Sequence, residues 1–282
     1  MFRSLLFIPG NNPSMIQNAD VFPADGVIFD LEDSVDIKEK DNARNLIGNY
    51  LTETSTYPSM VVLRVNQVDT EFFEKDLGLL ATGKIDYILL PKAGVDSLGI
   101  LEEKLVEYEK QYDLSEIKVL ALVESAKAII EVFKIAKHKR VEGILLGAED
   151  LCNDLEIGRS DEGTEILFAR SRVIYACASN NIVSIDTPNT SISDEAHLRK
   201  DCLNAKNLGM KAKSAIHPNQ LEIINEIFSP SKKDIEWAKD VIKLAEDNIG
   251  KGAFSYKGKM IDKPLILKAE KIIEIAKQFK IS

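Results

Sequence analysis

Residues 26–33 read GVIFDLED, an unbroken apolar run that stops at charged residues. The same form recurs at 60–66 (MVVLRVN), 86–92 (DYILLPK), 118–125 (KVLALVES) and 143–150 (GILLGAED). Shorter apolar segments at 5–9 (LLFIP), 182–187 (IVSIDT) and 212–218 (AKSAIHP) bring the total to eight. An apolar run without alternation suits a strand buried on both faces of a parallel sheet. Charge at its C-terminal end suits the mouth of a (β/α)8 barrel, where enzymes of that architecture keep their chemistry.

Helix-type stretches separate the segments, at 12–19, 38–50, 70–81, 97–111, 126–138, 164–179 and 194–208. In 126–138, Ile129, Ile130, Phe133 and Ala136 recur at the helical period. Alternating strand and helix predicts βα units with right-handed crossovers and a parallel sheet. Eight such units close a barrel; fewer true strands would leave an open doubly wound sheet. After the eighth segment the pattern changes. An amphipathic helix at 230–248 aligns Ile235, Ala238, Val241, Ile242 and Ala245, a glycine-spaced connector runs over 250–258, and a last helix at 264–279 aligns Leu265, Ala269, Ile272, Ile273 and Ala276. The expected division is a TIM barrel at 1–229 and a C-terminal helical extension at 230–282. The extension is too small to stand as an independent domain, so its apolar stripe must bury against the barrel or a second copy.

The bulk numbers agree with this reading. A chain of 282 residues, 45% hydrophobic, accommodates one barrel of roughly 250 residues plus a tail. A net charge of -9 argues against a nucleic-acid partner, which needs clustered Lys and Arg. Cys152, Cys177 and Cys202 have neither disulfide-framework nor zinc spacing, as expected of reduced thiols in a cytoplasmic protein. No apolar run nears the roughly 20 residues of a membrane span. The opening MFRSLLFIPG reads as a first strand rather than a signal peptide.

Glu124 and Asp150 end the expected fifth and sixth strands. Adjacent strands lie ~4.8 Å apart, so their last side chains can converge on one ion. Two carboxylates with open water positions suit Mg²⁺, a hard cation that also takes ligands from its substrate. Glu32, Asp33 and Glu149 add negative charge; the competing reading is that such residues cap the helices that follow. Arg64 and Lys92 end the third and fourth segments. A guanidinium there can hold a carboxylate or enolate oxygen through two hydrogen bonds, or pair with Asp30, Glu32 or Glu124. The FIPGNN turn that starts at Phe7 can present backbone N–H groups to an anion, though an ordinary βα turn explains it as well. His217, before Pro218, suits a turn. Asp262, beside Pro264, suits a helix cap. Neither a nucleotide-binding glycine motif nor a G-x-S-x-G elbow is present.

Together RSLLFIPGNN, DGVIFDLEDSV, LRVN, LLPKAG, ALVESAKAI, LLGAEDL, AIHPNQ and GKGAFSYKGKMIDKP resemble the citrate lyase beta-subunit family, among the Mg²⁺-dependent HpcH/HpaI aldolases. The tail looks most like citramalyl-CoA lyase and its beta-like relatives. The resemblance implies a barrel that cleaves a carbon–carbon bond in a citramalyl-, malyl- or citryl-type 3-hydroxyacyl-CoA or acyl-carrier-protein thioester, releasing an acetyl thioester and a 2-oxo acid. It implies Mg²⁺ on Glu124 and Asp150, substrate contacts from Phe7, Arg64, Lys92 and His217, and Arg64 stabilising the developing oxyanion. Asp262 becomes the acid/base, delivered from the lid of a neighbouring subunit in a homotrimer or dimer of trimers. One departure bears on the carrier. Relatives that use coenzyme A can carry basic residues on the first helix, whereas Asn12, Pro13, Ser14 and Asn18 stand here, which leaves a carrier-protein thioester open. Two other readings stay in play: a free 2-oxo-acid aldolase or malate-synthase-like condensing and thioesterase enzyme, and a non-catalytic subunit acting through partners.

Overall fold

The computed structural model of the chain describes residues 2–55, 58, 60–248 and 253–281. All eight expected strands form: β1 (Ser4–Pro9), β2 (Gly26–Asp30), β3 (Val61–Arg64), β4 (Tyr87–Leu90), β5 (Lys118–Val123), β6 (Val141–Leu146), β7 (Val183–Asp186) and β8 (Ala212–Ala215). They are parallel, pair in sequence order, and close as β8 pairs with β1. This is the expected (β/α)8 barrel. No helix among the described residues is long and apolar enough to cross a membrane.

The helices are α1 (Pro13–Gln17), α2 (Lys40–Glu53), α3 (Phe73–Leu77), α4 (Val95–Tyr112), α5 (Ala126–Ala136), α6 (Ala148–Asp154), α7 (Leu167–Asn180), α8 (Glu195–Leu208) and α9 (Leu221–Phe228). Two of these were not expected. The short α6 takes up the end of the GILLGAED stretch, and α9 follows the HPNQ turn. Asp150 therefore sits not at a strand end but in the first turn of α6. The apolar run continues past β6 because Ala148 and Leu151 are buried helix positions.

Leu5, Ile28, Val62, Leu89, Leu120, Leu122, Leu145, Ile185 and Ala212 form one buried cluster with half-buried Phe7. They alternate along their strands, the pattern of the side chains that fill a barrel interior. Outside this apolar core lies a buried ionic one. Lys213 on β8 is fully buried and its Nζ donates to Asp186 (2.6 Å), Asp201 (2.7 Å) and the Thr187 carbonyl (2.6 Å). Arg170 grips both oxygens of the same Asp186, at 2.8 and 2.9 Å, and donates to Asp201 at 2.6 Å. Two cations and two carboxylates thus neutralise each other out of water. Breaking such a set leaves an uncompensated buried charge, which costs about 3–5 kcal/mol. Lys213→Met is expected to lower unfolding free energy by that amount in a urea titration; a loss below about 1 kcal/mol would contradict it.

By its packing the chain divides into two compact units, Met1–Asn225 and Glu226–Ser282, and the division falls within α9. The second unit holds α10 (Lys232–Asp247), strands β9 (Ala253–Tyr256) and β10 (Lys259–Asp262), and α11 (Lys263–Gln278). Its own core joins Ala238, Val241, Ile261 and Ala269 to Trp237, Phe254 and Ile272. Ser231 caps α10 by accepting from the Asp234 N–H at 3.1 Å, and Asp262 caps α11 by accepting from Leu265 at 3.4 Å. The expected connector at 250–258 is corrected in part: residues 250–252 lie outside the described residues, and the rest is an antiparallel hairpin pairing β9 with β10. Lys257 and Gly258 turn it with φ of 47° and 76°, the left-handed pair that a two-residue hairpin turn requires.

Candidate active site

Carrying the inward alternation one step beyond the apolar cluster gives the next layer of the barrel. Ile28 leads to Asp30, Val62 to Arg64, Leu122 to Glu124, Leu145 to Gly147 and Ile185 to Thr187. This layer, unlike those beneath it, is polar. Phe7, Arg64, Leu122, Glu124, Leu145 and Asp150 line a cavity of about 100 Å³ there, closed by Gly147, Thr187 and Pro188.

Arg64 is held rigidly. Its Nε and Nη2 donate to the two oxygens of Asp30, each at 2.6 Å, in register across β2 and β3. Its Nη1 lies 3.0 Å from Glu32, and its guanidinium carbon stands 5.2 Å from the Phe7 ring centroid. Asp30 also accepts from the backbone N–H groups of Glu32 and Ser34, at 2.8 and 3.3 Å. Burial alone would raise the Asp30 carboxyl, but Arg64 and these donors overcome it and hold the group below the usual carboxylate range. For Glu32, burial with Asp33 beside it wins over Arg64 and pushes the carboxyl upward. The loop over this edge is pinned by Lys40, whose Nζ donates to the carbonyls of Leu31 and Glu32, each at 2.7 Å.

Glu124 faces the opposite situation. It is 5% exposed; among the described residues it has no ion pair, Oε1 accepts from the Lys92 backbone N–H at 2.6 Å, and Oε2 carries no hydrogen bond. Burial raises its pKa to about 8, with Asp150 and Glu32 adding to the rise against the Lys92 hydrogen bond and the Arg64 charge. Gly147 is required beside it, since a Cβ there would sit 2.6 Å from the Glu124 Cβ and 2.8 Å from Oε2. Asp150, half-buried on α6, makes no side-chain hydrogen bond or ion pair among the described residues. Neighbouring Glu149 is exposed and held by Arg159 at 3.1 Å.

Among the described residues no group of three or more His, Cys, Asp or Glu gathers around one point. The donor set available to a cation is therefore the pair Glu124 and Asp150. Among the described residues neither has an ion-pair partner, both are hard oxygen ligands, and Glu124 is buried. That set fits Mg²⁺, which keeps several waters and binds through one or two carboxylates.

Of the residues singled out from the sequence, Phe7, Arg64, Glu124, Glu149 and Asp150 meet at this cavity. Lys92 has an exposed side chain, and its contribution is the backbone N–H, set by a left-handed φ of 44°. His217 stands at the start of a 3₁₀ turn, with Nδ1 accepting from the Asn219 N–H at 3.2 Å, and does not line the cavity. Asp262 belongs to the second unit. Sequence reading missed Gly147 and Thr187, while the pairing of Arg64 with Asp30, weighed as its competing role, is the clamp that forms. The signal for the two missed residues was the two-residue step from the apolar interior to the first polar position on each strand.

The family profile described as HpcH/HpaI aldolase/citrate lyase matches residues 3–218. The chain is 37% identical over 281 residues to citrate lyase subunit beta of Haemophilus influenzae, covering 98% of this chain and 97% of that protein. It is 32% identical over 276 residues to (3S)-malyl-CoA thioesterase of Cereibacter sphaeroides, covering 96% and 93%. Among solved structures, the CitE protein of Mycobacterium tuberculosis in complex with magnesium, acetoacetate and coenzyme A superposes with a TM-score of 0.80 at 28% identity, covering 98% of each chain.

Proposed function

The chain belongs to the HpcH/HpaI aldolase/citrate lyase family, and from that premise we propose that it is a Mg²⁺-dependent carbon–carbon lyase cleaving a 3-hydroxyacyl thioester. The observation that carries this reading is the polar layer itself. A clamped guanidinium and a buried carboxyl with no ion-pair partner among the described residues flank one small cavity with apolar walls. The magnesium and coenzyme A of the CitE complex support the cofactor and the substrate class.

Magnesium on Glu124 and Asp150 would supply a Lewis acid that lowers the pKa of the substrate's hydroxyl and orients its oxygens. The chain's own residues do the rest. Arg64, with Asp30 fixing its plane, keeps N–H groups free on Nη1 and Nη2 for the oxygen on which negative charge develops. Phe7, Leu122 and Leu145 keep water from that oxygen. The substrate's hydroxyl gives up its proton to solvent, the carbon–carbon bond breaks, and its electron pair leaves one product as a 2-oxo acid and the other as a thioester enolate, which takes up a proton on carbon. Asp262 would protonate the enolate carbon, reaching the site from a neighbouring copy in a trimer or dimer of trimers, with the extension as a lid. Family resemblance supports that role.

α1 carries no basic residue to meet the phosphates of coenzyme A, which favours a carrier-protein thioester as substrate. Citramalyl-, malyl- and citryl-thioesters all suit the site's chemistry, and the oxo acid released follows from which is used. The (3S)-malyl-CoA thioesterase relative favours a second reading, in which water attacks the thioester carbonyl at the same site.

Metal binding should be strongly pH-dependent. Because the Glu124 pKa is raised to about 8, the carboxyl is protonated at neutral pH and must lose its proton to bind Mg²⁺. Affinity is expected to be level above pH 8 and to fall by about tenfold per pH unit below it. Calorimetric titration from pH 6 to 9 checks this; a flat profile contradicts it. The functional reading is tested by pyruvate and oxaloacetate binding. Either should bind with Mg²⁺ present and not with EDTA or in Asp150→Asn. Metal-independent binding of equal strength would remove the chelating role.

A further inference from the structure

We propose that Thr187 is a substrate-binding residue whose hydroxyl donates to the carboxylate beside the substrate's own hydroxyl, the group that leaves in the 2-oxo acid. This assignment deepens the lyase reading and rests on it. Thr187 follows β7, two residues beyond the inward-facing Ile185. Its side chain therefore continues into the polar layer, where it lines the cavity beside Gly147. It is 1% exposed. Its Oγ1 accepts from the Ala148 N–H at 3.3 Å, and among the described residues the hydroxyl hydrogen has no acceptor. A hydroxyl carries one donor besides its acceptor positions, and a buried donor is seldom left without a partner. The residue is also held in place. The Thr187 carbonyl accepts from fully buried Lys213 at 2.6 Å, and a β-branched side chain has little freedom about χ1.

The rest of the cavity offers an anion little else. Apart from Thr187, the polar side chains that line it are Arg64, Glu124, Glu149 and Asp150. Glu124 and Asp150 can only accept once ionised to hold the metal, and Glu149 is taken by Arg159. Arg64 and Thr187 are then the two side-chain donors of the site. Arg64 ends β3 and Thr187 follows β7, four strands apart in a closed ring of eight, so the two stand on opposite walls. A substrate whose hydroxyl oxygen meets Arg64 turns the carboxylate on the same carbon toward the far wall, where Thr187 is the donor. Gly147 keeps the way open. Leu122, Leu145 and Ile185 pair across β5, β6 and β7, so two residues further on Gly147 stands between Glu124 and Thr187 with no side chain to fill the space. A hydrogen bond to an ionised acceptor is among the strong ones. Because that carboxylate is common to every 2-oxo acid, Thr187 acts whichever thioester is used.

Calorimetric titration of the full chain tests it, first with Mg²⁺ alone and then with pyruvate and freshly dissolved oxaloacetate at saturating Mg²⁺. Thr187→Val keeps the shape and removes the hydroxyl. It is expected to weaken both oxo acids by the same factor, at least about tenfold, as the loss of a hydrogen bond to a charged group requires. Its affinity for Mg²⁺ alone should stay close to that of the wild type. Thr187→Ser keeps the donor and should bind both acids nearly as the wild type does. A merely structural role, as acceptor for the Ala148 N–H, would shift the Mg²⁺ affinity too, through Asp150 on the same helix, and that result would overturn the proposal. So would unchanged binding by Thr187→Val, weakening of oxaloacetate alone, or a loss in Thr187→Ser as large as in Thr187→Val. A wild type that binds neither acid would overturn the lyase reading and this assignment with it.

Discussion

Glu124→Gln is expected to reduce Mg²⁺-dependent cleavage by at least ~10³-fold, the loss of several kcal/mol of charge stabilisation at the metal. The same change should leave the metal-free barrel as stable as wild type at pH 4 and more stable at pH 9. The sign follows from the environment of the carboxyl. Burial raises its folded-state pKa to about 8, above the unfolded value of about 4.3. A carboxyl raised on folding contributes its stability fully below the unfolded pKa, and that contribution is lost as pH rises through 8. Glutamine cannot ionise, so it escapes the loss, on the order of a few kcal/mol at pH 9, while still accepting from the Lys92 N–H. Urea titrations at both pH values, beside initial rates, separate the two effects. A variant that keeps its rate, or loses stability equally at both pH values, contradicts the account of this residue.

Asp262→Asn is the second large effect expected. General acid–base groups contribute about 10²–10⁴-fold, and activity should fall within that range. Stability should not change, because Asn caps a helix as well as Asp does and the Leu265 N–H keeps its acceptor. If Asp262 acts across copies, mixing Asp262→Asn with Glu124→Gln after denaturation and joint refolding should restore part of the activity that neither variant has alone. Mixed samples as inactive as their parents would place Asp262 in its own copy's site or outside the chemistry.

The barrel was legible in the sequence because a strand buried on both faces leaves an unmistakable apolar run, and the eight runs became the eight strands. Their C-terminal ends were less legible. The run 26–33 continues past β2, which ends at Asp30, because Leu31 is buried in the loop that Lys40 pins. The run 143–150 hides a change of period at Gly147, where β6 has ended and α6 begins. α9 was overlooked because its eight residues follow directly on a turn. The hairpin was overlooked because its turn signal is a single Lys-Gly step between strands of only four residues.

The site divides in the same way. Glu124 and Arg64 were readable as charges placed at the ends of apolar strands. That Asp30 clamps Arg64 was weighed as its competing role, and the distances make it a supporting one. The backbone N–H of Lys92 and the bare α-carbon of Gly147 left no such mark, since both act through main-chain geometry that residue type alone does not report.

The central claim is tested most directly by incubating the protein with citramalyl-, malyl- and citryl-CoA, with Mg²⁺ or with EDTA, and reading products by mass spectrometry. The account predicts acetyl-CoA and one 2-oxo acid from at least one thioester, lost with EDTA and in Glu124→Gln. Release of free coenzyme A with the hydroxy acid intact, or cleavage indifferent to metal, would contradict it.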